Sequence, residues 1–82
     1  MKSEIRQFIL RALKAADGNP MSEVTLRAAV RKAFSHVAMT EADITLHIQF
    51  CESNGWIIGT SNALSGTVWT LTDKGILAAA QL

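Results

Sequence analysis

Asp43, His47 and Cys51 follow one another at intervals of four residues in a chain of 82. On a helix that spacing puts a carboxylate, an imidazole and a thiol along one side, the components of an activated thiolate. The helical rise argues against a compact triad, because residues eight apart are separated by about 12 Å along the axis. His47 alone would have to bridge both neighbours. Cys51 also stands where the apolar spacing points to a core, and a buried thiol behaves as a small hydrophobe. The structural role is therefore the stronger reading, and no catalytic residue is expected. One cysteine cannot form an internal disulfide, and one Cys with His36 and His47 cannot assemble a structural zinc site, so no metal or other cofactor is expected. Both histidines are expected at capping or surface positions.

Trp56 and Trp69 have faces on which bases could stack, as in single-strand binders. In a small hairpin packed on helices, such large aromatics serve more often to cover a core. Eight basic residues against seven acidic ones leave a net charge of +1, so no whole-molecule field attracts nucleic acid, and any basic surface is a local patch. A chain of this length has room for one domain, 1–82, with a modest core and no large cleft. Its 49% hydrophobic content is high for so small a domain and leaves apolar surface for a partner. Glu4, Arg6, Arg11 and Lys14 interrupt what would be the apolar segment of a leader, and no run approaches a membrane span of roughly 20 residues. A reducing, cytoplasmic setting without membrane contact is expected.

The elements that must position these residues are legible from period and capping. Ile5, Phe8, Ile9, Ala12, Leu13 and Ala16 repeat at helical spacing over residues 3 to 16, and "DGNP" stops that helix. Met21 offers a short strand at a sheet edge, and Ser22 caps a second helix through Leu26, Ala29, Val30, Ala33 and Phe34. Arg27 and Arg31 share its outward face, with Lys32 at the flank. Thr40 and Asp43 form a capping box for a third segment, "ITLHIQFCESNG", which alternates like a strand and also repeats like a helix. The box and the terminal "NG" favour a helix, with Gly55 as the left-handed residue past its end. A hairpin follows, with strands at 56–60 and 67–72 joined by a polar loop. Trp69 and Leu71 share one face of it. Thr72 or Asp73 caps a last helix, "KGILAAAQL".

The order helix, helix, helix, hairpin, helix resembles the winged helix-turn-helix superfamily over nearly the whole chain. "IQFCESNGWI" looks like the end of a winged-helix recognition helix running through Gly55 into a strand, and "VWTLTDKG" looks like the second wing strand entering the final helix. The resemblance implies an α+β fold of three helices, a β-hairpin wing and a short C-terminal helix. It further implies a small, non-enzymatic regulator-type protein that places its third helix in the major groove of double-stranded DNA.

On that reading Thr45, Gln49 and Ser53 are the base-contact candidates, and Arg27, Arg31 and Lys32 are the phosphate-contact candidates. The third helix has no Lys or Arg while carrying Glu41, Asp43 and Glu52, and the hairpin has none between Gly55 and Asp73. Phosphate neutralisation therefore falls to the second helix. The alternative is a winged-helix module for a protein partner or a second copy of itself, with Leu46, Phe50 and Leu64 as interface candidates. A slight rotation of the third helix would instead place Phe50 in the core.

Overall fold

The computed structural model describes residues 2–64 and 66–82. The chain runs through α1 (Lys2–Ala15), β1 (Met21–Ser22), α2 (Glu23–Ala33), α3 (Glu41–Ser53), β2 (Ile57–Asn62), β3 (Gly66–Leu71) and α4 (Asp73–Ala80). Local signals set most of these boundaries. The Ser22 side chain accepts the Thr25 N–H at the start of α2, and the Thr72 side chain accepts the Gly75 N–H at the start of α4. These bonds satisfy N–H groups that the first turn of any helix leaves without an intrahelical partner.

The ambiguous segment resolves as helix α3. Thr40 accepts the Asp43 N–H at 3.1 Å while the Asp43 carboxylate accepts the Thr40 N–H at 2.9 Å, a complete capping box. At its other end Gly55 takes φ of 75°, a left-handed conformation that is strained for a residue with a Cβ. The chain then turns directly into β2.

The sheet has the order β1-β3-β2, all antiparallel. β1 is short, pairing Met21 with Trp69 and Ser22 with Val68, and it ties the start of α2 to the hairpin. The hairpin ladder runs further into its polar tip than expected, through Ser61↔Thr67 to Asn62↔Gly66. Hydroxyl and amide side chains there are compatible with an exposed two-stranded ribbon, so polarity alone misplaced the strand ends. The Ser65 hydroxyl expected at the tip lies outside the described residues.

The core is built by Ile5, Ile9, Leu10 and Leu13 of α1, Leu26 and Val30 of α2, and Ile44, Ile48 and Cys51 of α3. Ile57 and Trp69 close it from the sheet and Ala79 from α4. Each fully buried Ile or Leu contributes about 1.5–3 kcal/mol relative to exposure, so α1, with four buried large side chains, is the central support of the fold. Phe8 and Phe34 meet edge to face at 5.7 Å and join α1 to the end of α2. Three helices, a three-stranded sheet with a protruding hairpin, and a short closing helix make an α+β winged helix-turn-helix fold.

Candidate nucleic-acid interface

The geometry of α3 follows from its anchoring residues. Ile44, Ile48 and Cys51 are buried in the core, which turns Ala42, Leu46, Gln49 and Ser53 outward as an exposed row. Steps of three and four residues keep that row on one side of the helix. It carries an amide, a hydroxyl and apolar groups, with no formal charge. Thr45, expected among the outward residues, is half-buried: its hydroxyl donates to the Glu41 carbonyl at 3.0 Å and accepts from Arg27.

Arg27 is a tie between elements. Its Nε pairs with Glu23 at 3.2 Å, its Nη1 donates to the Glu41 carbonyl at 3.2 Å, and its Nη2 donates to Thr45. Glu23 in turn accepts the Trp69 indole N–H at 3.1 Å. A continuous chain of contacts thus runs from the wing strand through α2 to the first turn and a half of α3. It fixes the position of the third helix relative to the hairpin, which bears on how the two could sit on one duplex. Arg31 pairs with the Glu41 carboxylate through Nε at 2.9 Å and through Nη2, and donates to the Met39 carbonyl at 3.1 Å. Lys32 is exposed.

Two of the expected phosphate contacts are therefore already engaged within the chain, Arg27 with Glu23 one turn earlier on the same helix and Arg31 with Glu41 of α3. Glu41, at the start of α3, faces Arg31 of α2, and only that pairing is absent from local sequence. The Arg31 side chain keeps 46% of its surface exposed against 21% for Arg27, so exchange of a carboxylate for a phosphate is the more accessible to Arg31.

The interface candidates separate in space. Leu46 is 63% exposed and Phe50 36%, and both line the hollow between α3 and the N-terminal half of α1. Leu64, 98% exposed at the wing tip, is no part of that hollow. Phe50 is not a core residue. Its ring lies under the Arg6 guanidinium, 3.5 Å from the ring centroid, and meets Trp56 edge to face at 5.9 Å.

The Asp43–His47–Cys51 row carries no activated thiol. Burial pushes the Cys51 thiol up from 9.0 to about 11, with nearby Arg6 opposing only in part, so the thiolate is scarce at neutral pH. His47 corrects the sequence expectation: it is buried, 8% exposed, instead of lying at the surface. α1 crosses the side of α3 next to Ile44 and Ile48, so the buried arc is wider than the apolar residues indicate. Burial, followed by the charge of Arg6, holds the imidazole below its ordinary 6.5 and keeps it neutral. His36 is exposed, as expected. Among the described residues no three His, Cys, Asp or Glu side chains are grouped to hold a metal ion.

Asp43 makes the anchoring of α3 sensitive to acid. The Thr40 backbone N–H, and after it the Thr40 side chain, holds the Asp43 carboxyl below its ordinary 3.8. A lowered folded-state value means a contribution that is full above about pH 3.8, the unfolded value, and disappears as pH falls toward the folded one. Thr40→Ala is expected to cost about 1 kcal/mol at neutral pH. Urea denaturation across pH should show that deficit shrinking below the unfolded carboxyl value. A deficit constant down to full protonation would mean that the Thr40 side chain contributes nothing through the Asp43 charge.

No protein-family model matches the chain, and no curated protein matches it. Among solved structures, the crystal structure of a proposed transcriptional regulator from Thermoplasma acidophilum superimposes with a TM-score of 0.77 at 22% sequence identity, over 98% of this chain and 75% of that one. The likeness is one of fold and agrees with the winged-helix architecture. No helix of the described residues is long and apolar enough to cross a membrane.

Proposed function

We propose that residues 1–82 act as one non-enzymatic winged-helix domain that binds double-stranded DNA in the manner of a small transcription regulator. The observation that carries this reading is the exposed, uncharged row of α3, mounted on a capped and core-anchored helix and held at a fixed angle to the wing by the Trp69–Glu23–Arg27–Thr45 contacts. Its fold likeness to a proposed transcriptional regulator supports the same reading.

In the major groove Gln49 can take adenine through both amide atoms, Ser53 can contact either partner of a base pair, and Leu46 can pack on a thymine methyl. Thr45 has its hydroxyl engaged with Arg27 and serves base reading only by giving up that bond. Arg31 and Lys32 supply the phosphate contacts beside the row, with Arg27 holding α2 to α3 behind them. The wing contributes shape and backbone hydrogen bonding in place of charge.

Anisotropy titration of mixed-sequence duplexes across a salt series is the direct test. Affinity should fall steeply with salt, and the Arg31→Glu, Lys32→Glu double substitution should lower the logarithmic salt slope by about two, roughly one for each phosphate that is no longer neutralised. Absence of duplex binding at low salt would sink the DNA reading and leave protein association through Leu46, Phe50 and Leu64 as the function to pursue.

A further inference from the structure

Among the described residues, two buried side-chain polar atoms have no hydrogen-bond partner: Arg6 Nε and His47 Nδ1. They belong to the wall of the same hollow, a space of about 610 Å³ between the N-terminal half of α1 and the flank of α3. That volume is typical of small-molecule sites, and a buried nitrogen left unpaired costs stability unless something else answers it. Arg6 also forms no ion pair with any described residue. Its guanidinium is stacked on Phe50, which holds the plane of the group and leaves its edge of N–H donors free to meet a planar acceptor. Lys2, one turn earlier on α1, adds a second positive charge to the wall. Asp43 is the carboxylate there, and it is bound to the Thr40 N–H in the capping box. The fixed charge of the hollow is therefore positive, over a wall that joins the apolar Ile5, Leu46 and Phe50 with the neutral polar Gln49 and Ser53.

We infer that this hollow is a binding site for a small amphipathic carboxylate, with the anionic group on the Arg6 fork and the apolar body against Phe50 and Leu46. Arg6 Nε is closed to solvent, so the carboxylate meets the Arg6 Nη groups, which make no hydrogen bond to any described residue while the guanidinium stays stacked on Phe50. A phosphate group has the charge but no body to fill the apolar wall, and a neutral amide has the body without the charge. The hollow shares Leu46, Gln49 and Ser53 with the row proposed for DNA, but the proposal does not rest on the DNA reading, because ligand binding is assayed on the free protein.

The test is a titration of the full, isotope-labelled chain with benzoate, benzamide and inorganic phosphate in parallel, followed by amide and arginine side-chain NMR signals. Benzoate should give saturable shifts at Arg6 and at residues 46 to 50. Benzamide and phosphate should each bind at least about tenfold more weakly, the scale of one lost charge-assisted hydrogen bond. Arg6→Gln, if its spectrum remains native, should lose about tenfold or more in benzoate affinity. If that variant unfolds, the comparison of benzoate with benzamide on the unaltered chain decides the matter alone. Equal binding of the two, shifts centred elsewhere, no saturable benzoate binding, or full affinity in a folded Arg6→Gln protein would overturn the proposal.

Discussion

Gly75→Ala is expected to lower stability by roughly 3 kcal/mol or more, and the melting temperature by roughly 15 °C for a domain of this size. A Cβ built on Gly75 would lie 1.9 Å from the Trp56 carbonyl oxygen and 2.8 Å from its carbon, with the Leu71 side chain at 2.9 Å. Two of those three atoms are backbone and have no rotamer by which to retreat. The Trp56 carbonyl also accepts the Thr72 N–H at 2.9 Å, while the Thr72 hydroxyl donates to the Gly55 carbonyl and accepts the Gly75 N–H. Relief of the clash therefore requires lifting the first turn of α4 away from the exit of α3, breaking the cap that starts the helix. Thermal denaturation followed by circular dichroism measures the effect, with Lys74→Ala as the exposed neighbour in the same turn. A melting temperature within a few degrees of the parent would show that α4 docks with room to spare.

Trp69→Ala carries the second large effect, about 3–5 kcal/mol, the usual cost of emptying a buried aromatic site. That is a large fraction of the roughly 4–12 kcal/mol available to a chain of this length. Trp69 is 6% exposed and sits in the middle strand between Met21 of β1 and Gly59 of β2. Its ring covers Gly59 so closely that a Cβ there would lie 2.8 Å from Cζ3, so the facing strand has no side chain able to fill the space. The substitution also removes the indole N–H from Glu23 and loosens the contacts that lead through Arg27 to α3. Trp69→Phe keeps most of the apolar contact and should cost far less, near the 1 kcal/mol of a single hydrogen bond plus a small void. Urea denaturation of the pair separates the two contributions. If Trp69→Ala costs no more than Trp69→Phe, the ring does not hold the sheet together as described.

The order of elements was readable from the sequence because each start and stop is local. Thr40 and Asp43 form their box within one helical turn, Gly55 ends α3 by its own backbone conformation, and Thr72 caps α4 three residues ahead. The apolar period placed Ile44, Ile48 and Cys51 in the core, and the outward exposure of Gln49 and Ser53 followed from it. Even the short strand at Met21 could be anticipated, although not its partner.

The chain alone therefore determined the fold class and the exposed row of α3, since periodicity and capping act over a few residues and survive without knowledge of what lies opposite. Only the tertiary structure decided that His47 is buried, that Glu41 engages Arg31 while Arg27 reaches Thr45, and that Arg6 rests on Phe50 beside an open hollow. Each of these joins residues on different elements, at separations set by how α1 and α2 cross α3. Side-chain charge and type state what a residue can bind; the packing of helices decides which partner reaches it first.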